Sequence, residues 1–201
     1  MKNALIIGGG SGKGAIIVDT LLENGFSVVN VGSSEHSSAT NIKIAWDKLD
    51  IPFVQRNLKF NQLFDFIFFN QNSSTLKQED FIINDETLTN WKLIKDWSHS
   101  HWISCQFPFL LLHTNSNNLH SNTKVGWMLS GYVRHNKPDV EKYPDYSSFK
   151  FFNLMQMRSF SNNNRFKTFG IYPDFSQGDG DKTLKDIIQR VLVEDTQEYY
   201  F

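Results

Sequence analysis

The chain has 201 residues, with 20 Lys and Arg against 21 Asp and Glu and a net charge of −1. This length suits a single domain, residues 1–201, with a sizeable core, and the even charge excludes the basic footprint of a nucleic-acid or membrane-surface binder. The single cysteine, Cys105, excludes an internal disulfide and a multi-cysteine zinc site.

Lone-cysteine usage fits a reducing compartment. No apolar run is long enough to cross a bilayer, and Gly8 interrupts the first segment before the apolar region of a leader develops. A cytoplasmic protein is therefore expected. The 18 Phe supply a core and an aromatic-lined pocket.

Ala4-Leu5-Ile6-Ile7 is a short apolar run of the buried parallel-strand kind. Gly8-Gly9-Gly10-Ser11-Gly12-Lys13-Gly14 follows, and then Ala15 to Leu22, a helix with a stop at Gly25. Strand, glycine turn and helix make a phosphate site. The N–H groups of the first helical turn point outward, and the helix dipole favours negative charge there. A P-loop is disfavoured: its first glycine position is Ile7 and its hydroxyl position is Gly14. The spacing Gly8-x-x-x-Gly12-x-Gly14 fits a dinucleotide turn.

Phe26 to Val31 reads as the second strand, followed by Gly32-Ser33-Ser34. Dinucleotide folds place an acid at this tip to bind the adenosine ribose and repel a 2′-phosphate. Here the tip has no acid, which points to NADP(H) over NAD(H), with Lys13 as a phosphate partner from the glycine turn. An ordinary polar loop is the competing reading of Ser33 and Ser34. Asn41 to Asp47 alternates as a third strand. A short helix from Ile51 to Asn61 leads to Phe64 to Asn70, a doubly covered fourth strand.

After a polar loop, a helix begins near Trp91 with Thr87 or Thr89 as its cap, and runs toward Leu112. Pro108 kinks it or marks a second start. His99 and His101 stand two apart on that helix and face different ways, so a metal site there is not expected. Lys124 to Leu129 is the fifth strand, with Ser130 at its carboxyl end, where open α/β sheets bind ligands. A loop with Pro138 leads to Asp145 as a helix cap. On that helix Tyr146-Ser147-Ser148-Phe149-Lys150 puts Tyr146 and Lys150 one turn apart on one face. An ammonium beside a phenol favours the phenolate, which suits the phenol to proton transfer.

Glycine turn, strand-end serine and Tyr-x-x-x-Lys, in this order, resemble the short-chain dehydrogenase/reductase family from Met1 to about Pro173. The resemblance implies a Rossmann-type α/β fold: a doubly wound parallel sheet in three layers. About six strands are visible. It also implies an NAD(P)-dependent oxidoreductase that reduces a carbonyl or oxidises an alcohol. Ser130 would hold the substrate oxygen, Tyr146 would be the acid/base, and Lys150 would bind the nicotinamide ribose. Gly8, Ser11, Gly12, Lys13, Gly14, Ser33 and Ser34 would bind the cofactor. Asp47 would take the adenine amino group, Asn70 would tie neighbouring strands together, and Pro173 would close over the nicotinamide.

Other positions depart from the family. Gln71 and Asn72 replace the small residues of its Asn-Ala-Gly turn, and Asp174 replaces a glycine after Pro173, with Ser176 as a stand-in for the Thr that follows. The helix Asn of the proton relay falls at Ser98 or at Ser104. Gly131 competes with Ser130 for the catalytic place. A substrate lid and a seventh strand are not visible: Lys182 to Glu194 is an amphipathic last helix, and the tail from Glu198 is too short for another full strand. The family commonly pairs through the Tyr146 helix and the one before it, so a homodimer or tetramer is expected. A dinucleotide-binding sensor or scaffold without turnover is the alternative.

Overall fold

The computed structural model describes residues 1–71, 91–130, 133, 144–162, 165–173 and 180–200. Seven strands form one sheet: β1 (Lys2–Ile7), β2 (Phe26–Gly32), β3 (Thr40–Lys43), β4 (Phe66–Phe69), β5 (Lys124–Met128), β6 (Lys167–Tyr172) and β7 (Glu198–Tyr200). Their order is β3-β2-β1-β4-β5-β6-β7, and every pairing is parallel. The helices are α1 (Gly12–Glu23), α2 (Ile51–Asn57), α3 (Trp91–His101), α4 (Phe107–Thr114), α5 (Pro144–Ser161) and α6 (Gly180–Val193).

Side chains alternate across a strand, so each strand feeds two cores. In β1, Ala4 and Ile6 pack with Ile17, Val18 and Leu21 of α1 and Leu184 and Ile188 of α6. Leu5 and Ile7 face the other way, toward Val54 of α2, Leu111 of α4 and Leu154 of α5. The result is the expected three-layer, doubly wound arrangement. β4 is buried throughout, and each of its Phe side chains contributes roughly 1.5–3 kcal/mol through burial.

Three boundaries differ from the sequence reading. The helix expected from Ile51 to Asn61 ends at Asn57, with Leu58 buried after it. β3 stops at Lys43, and the chain turns through a tight helical turn, Trp46–Lys48, so Asp47 lies outside the sheet. The tail does form a seventh strand where six were expected. Gly170 N–H donates to the Gln197 carbonyl at 2.7 Å, Tyr199 is buried, and Arg158 holds Glu198 at 2.6 Å. Three residues suffice because neighbours in space fix them.

Local chemistry explains the helix ends. Gly25 takes φ +78 and ends α1. Asp50 caps α2 by accepting the Phe53 N–H at 2.7 Å. Pro108 stands in the first turn of α4, and the five residues before α4, Trp102–Gln106, form a π-helical turn. Proline lacks the N–H that a regular helix would offer to the Ser104 carbonyl, and the widened turn absorbs that break.

The sheet order reverses between β1 and β4. A crevice opens there at the carboxyl ends of the strands, where folds of this kind take ligands.

Candidate active site

The glycine turn sits at this reversal. Gly8 takes φ +82, which a side chain would resist, and its N–H donates to the Val31 carbonyl of β2 at 2.8 Å. Asn70, one residue past β4, donates from Nδ2 to the Gly8 carbonyl at 3.0 Å. A Cβ on Gly14 would run into that same carbonyl oxygen. Gly14 thus lets α1 close against the turn. Ser11 caps α1 through its position alone; its side chain makes no capping hydrogen bond, and the first turn carries no acid. The N–H groups of that turn suit an anion.

Asn30 was not singled out from the sequence. It is buried in β2, where it accepts the Gly9 N–H at 2.8 Å and donates to the Ser34 carbonyl at 2.9 Å and to Asn41 Oδ1 at 2.8 Å. One amide therefore joins the glycine turn, the loop after β2, and β3. A polar residue inside Val28-Val29-Asn30-Val31 was the signal available in the sequence. Gly10 fits the same junction, because a Cβ there would overlap the Ser34 carbonyl.

A cleft opens beside this junction. Gly8, Gly10 and Ser11 line one wall, and Gly32, Ser33 and Ser34 line the facing one. Asn70 and Gln71 form its floor, and Trp46 completes it. Of the expected cofactor residues, Gly8, Ser11, Ser33, Ser34 and Asn70 line this space. Gly12 takes φ +52 with open space around it. Asp47 is exposed, and Pro173 is buried just past the carboxyl end of β6. Lys13 is half-buried in the first turn of α1; burial pulls its ammonium below the usual range, partly offset by Asp181.

The second group of residues lies along β5 and α5. Ser130 is buried two residues past β5. Lys150 is buried too, and its Nζ donates to the Met128 carbonyl at 2.6 Å, so it is anchored at the end of the strand that leads to Ser130. Nζ stands 5.6 Å from the centroid of the Tyr146 ring. Asp145 lies within the first turn of α5 rather than before it, and accepts the Tyr146 N–H at 2.6 Å. Burial lowers Lys150 to about 8; Cys105 pulls it up and Lys13 pushes it further down. Burial raises the Cys105 thiol to about 12, against the pull of Lys150.

Cys105 belongs to the π-helical turn, which is the bend in this helical path. Ser104, one of two expected relay positions, is buried in that turn, while Ser98 is exposed on α3. Two side-chain amides take up the carbonyls of the turn: Gln71 Nε2 donates to Ile103 at 3.4 Å and Gln156 Nε2 to Cys105 at 2.9 Å. Gln71, foreign to the family's turn, thus links the cleft to the bend. Asn72, Gly131, Asp174, Ser176, Thr87, Thr89 and Pro138 lie outside the described residues. Among the described residues, no helix is long and apolar enough to cross a membrane.

No family model and no curated protein sequence matches the chain. Solved structures do. A carbonyl reductase from Pseudomonas aeruginosa PAO1 superposes with a TM-score of 0.76 at 15% identity, over 100% of this chain and 95% of the other. A short chain dehydrogenase from Burkholderia cenocepacia J2315, in complex with NADP, gives 0.74 at 16% identity, over 100% and 89%. A short chain dehydrogenase family protein from Francisella tularensis subsp. tularensis SCHU S4 gives 0.67 at 20% identity, over 96% and 78%. The chain has the short-chain dehydrogenase/reductase fold. In that fold its glycine turn lies at the crevice between β1 and β4, and the Tyr146 helix packs along β5 and β6.

Proposed function

We propose that the protein is an NAD(P)-dependent oxidoreductase that reduces a carbonyl or oxidises an alcohol on a small molecule. The observation that supports this reading is that Lys150 Nζ stands 5.6 Å from the Tyr146 ring and donates to the Met128 carbonyl, at the carboxyl end of β5 and two residues before Ser130, while the glycine turn stands at the carboxyl end of β1 in the same parallel sheet. The cradle fits a dinucleotide: Gly8, Gly10 and Ser11 line the cleft, Gly12 has open space around it, and the first turn of α1, without a side-chain cap, offers N–H groups to a pyrophosphate. Gly8, Ser11, Gly12, Lys13, Gly14, Asn70 and Pro173 would hold the cofactor, with Ser33, Ser34 and Asp47 at its adenosine end. Lys13, in the first turn of α1, would pair with a phosphate of the cofactor.

When bound, the nicotinamide supplies or accepts the hydride. The Tyr146 hydroxyl gives its proton to the substrate oxygen as a carbonyl is reduced, and takes one back as an alcohol is oxidised. Ser130 donates a hydrogen bond to that oxygen and holds it near the phenol. Lys150 favours the phenolate by its charge and would bind the nicotinamide ribose. The cleft rim at Ser11, Ser33 and Ser34 carries hydroxyls and no carboxylate, which favours NADP(H) over NAD(H). We place the protein in the cytoplasm.

We also propose a homo-oligomer, a dimer or tetramer. Trp97 of α3, Phe109 of α4, and Phe152 and Met155 of α5 are all exposed. Trp97 and Phe152 belong to one aromatic array through His101 and Phe149. Large exposed apolar side chains grouped on adjoining helices suit an interface.

A second reading is a dinucleotide-binding sensor without turnover. It is favoured by Gln71, which stands where the family has a small residue and donates to the Ile103 carbonyl at 3.4 Å. NADPH titration followed by a screen of aldehydes and ketones decides between the two. Consumption of NADPH that Tyr146→Phe abolishes supports the enzyme. Tight binding with no turnover on any carbonyl supports the sensor.

A further inference from the structure

The cleft beside the glycine turn is made almost wholly of small or polar residues. Glycines and serines form its walls, and two side-chain amides form its floor. Trp46 is the one ring among its lining residues. It follows β3 in the turn Trp46–Lys48, and the Ile44 N–H donates to the Gly32 carbonyl at 2.9 Å, which sets this segment beside the second loop of the cleft. The indole is held from behind. It meets the fully buried Phe107 ring edge-on, with centroids 6.0 Å apart and planes at 80°, and it rests against the core on the α2 and α4 side of the sheet. The residue is half-buried and lines the cleft.

The chemistry divides the cleft. Hydroxyls, amides and backbone N–H groups serve ribose and phosphate oxygens. A purine has two flat π-faces and needs an apolar plane, and indole is the widest one a protein has. We infer that Trp46 is a stacking platform for the adenine of an adenylated ligand and sets the affinity of this cleft for it. The inference rests on the nucleotide reading of the site and does not depend on hydride transfer. A fixed indole costs little ordering on binding, because Phe107 already restrains it.

The test uses the full chain, with ADP-ribose and its 2′-phosphate as probes, titrated by calorimetry. Neither probe carries nicotinamide, so the result is separable from turnover. Trp46→Phe keeps a ring and is expected to bind within a few-fold of the native protein. Trp46→Leu keeps the apolar contact with Phe107 but has no π-face, and is expected to weaken binding about tenfold or more, the range set by base–aromatic stacking. The native tryptophan emission should be quenched by ADP-ribose, with the quenched component missing in Trp46→Phe. Equal affinity in the Phe and Leu variants would overturn the platform. So would absence of ADP-ribose binding to the native chain, even if carbonyl reduction were observed. Binding that depends on Trp46 without any turnover would keep this inference and remove the oxidoreductase.

Discussion

The side-chain oxygen of Asn30 accepts the N–H of Gly9 at 2.8 Å, so a residue in the middle of β2 holds the turn that follows β1. The same side chain donates to the Ser34 carbonyl at 2.9 Å. The two loops that wall the cleft are thereby spaced by one amide. Replacing it with an apolar group of similar size leaves the buried Gly9 N–H without its acceptor and the Ser34 carbonyl without this donor. Asn30→Leu is expected to cost about 1–3 kcal/mol of stability and to weaken NADPH binding, read by urea unfolding and by titration. Unchanged unfolding would show that water replaces the amide.

Tyr146→Phe removes one hydroxyl and keeps the ring beside Lys150. Turnover is expected to fall by about two to four orders of magnitude, the range for a lost acid/base, with the NADPH affinity nearly unchanged. Activity equal to the native enzyme would reject Tyr146 as the proton donor.

Lys150 titrates near 8 in the folded chain and near its ordinary, higher value when unfolded. Below pH 8 the folded protein carries the full penalty of a buried ammonium. Between pH 8 and about 10.4 the unfolded chain holds more protons, so rising pH stabilises the fold through this group. Urea midpoints of the native protein at pH 7, 8 and 9 should therefore rise relative to those of Lys150→Met. Parallel curves for the two proteins would remove the perturbed lysine.

Ser33 stands just past β2, where an acid would repel a 2′-phosphate. Ser33→Asp is expected to shift the NADPH-to-NADH affinity ratio toward NADH by about tenfold or more, equivalent to roughly 1.4 kcal/mol. A native protein that already prefers NADH would show that the open tip was misread.

The paired change Phe152→Glu and Met155→Glu places two charges on the exposed side of α5. If that side is the interface, light scattering should report a monomer where the native chain is larger, with the unfolding midpoint of the monomer near the native value. A native chain that is itself monomeric would refute the oligomer.

What the sequence displayed was what the chain writes locally. Glycine spacing located the turn, and apolar runs located the strands. A spacing of four put Tyr146 and Lys150 on one face, and Asn70 stood next to its strand. What it concealed depends on distant partners. Asn30 acts on Gly9 across 21 positions, and nothing local marks an asparagine as a brace. Trp46 lines the cleft because β3 ends early, a boundary that alternation through Ile44 hid. β7 is three residues long, below the length at which periodicity speaks, and it exists because Gly170 and Arg158 receive it. Lys13 reads as a cation at a glycine turn, but the influence of Asp181 on it comes from α6, near the other end of the chain, which no local pattern shows.

The widened turn at Trp102–Gln106 also fixes an angular relationship. A regular helix advances about 100° per residue, and the wider turn takes one residue more through nearly the same sweep, so the stretches before and after it keep the phase of an unbroken helix. Excising a single position inside it would close the ladder of hydrogen bonds as far as Pro108 and leave Trp97 and His101 against the Phe149 and Phe152 rings they now meet. The same deletion between Trp97 and His101, where the helix is regular, would turn Trp97 out of that array by about 100°. The bulge is thus the one place in this stretch where the chain can shorten without unpicking the aromatic seam between two helices.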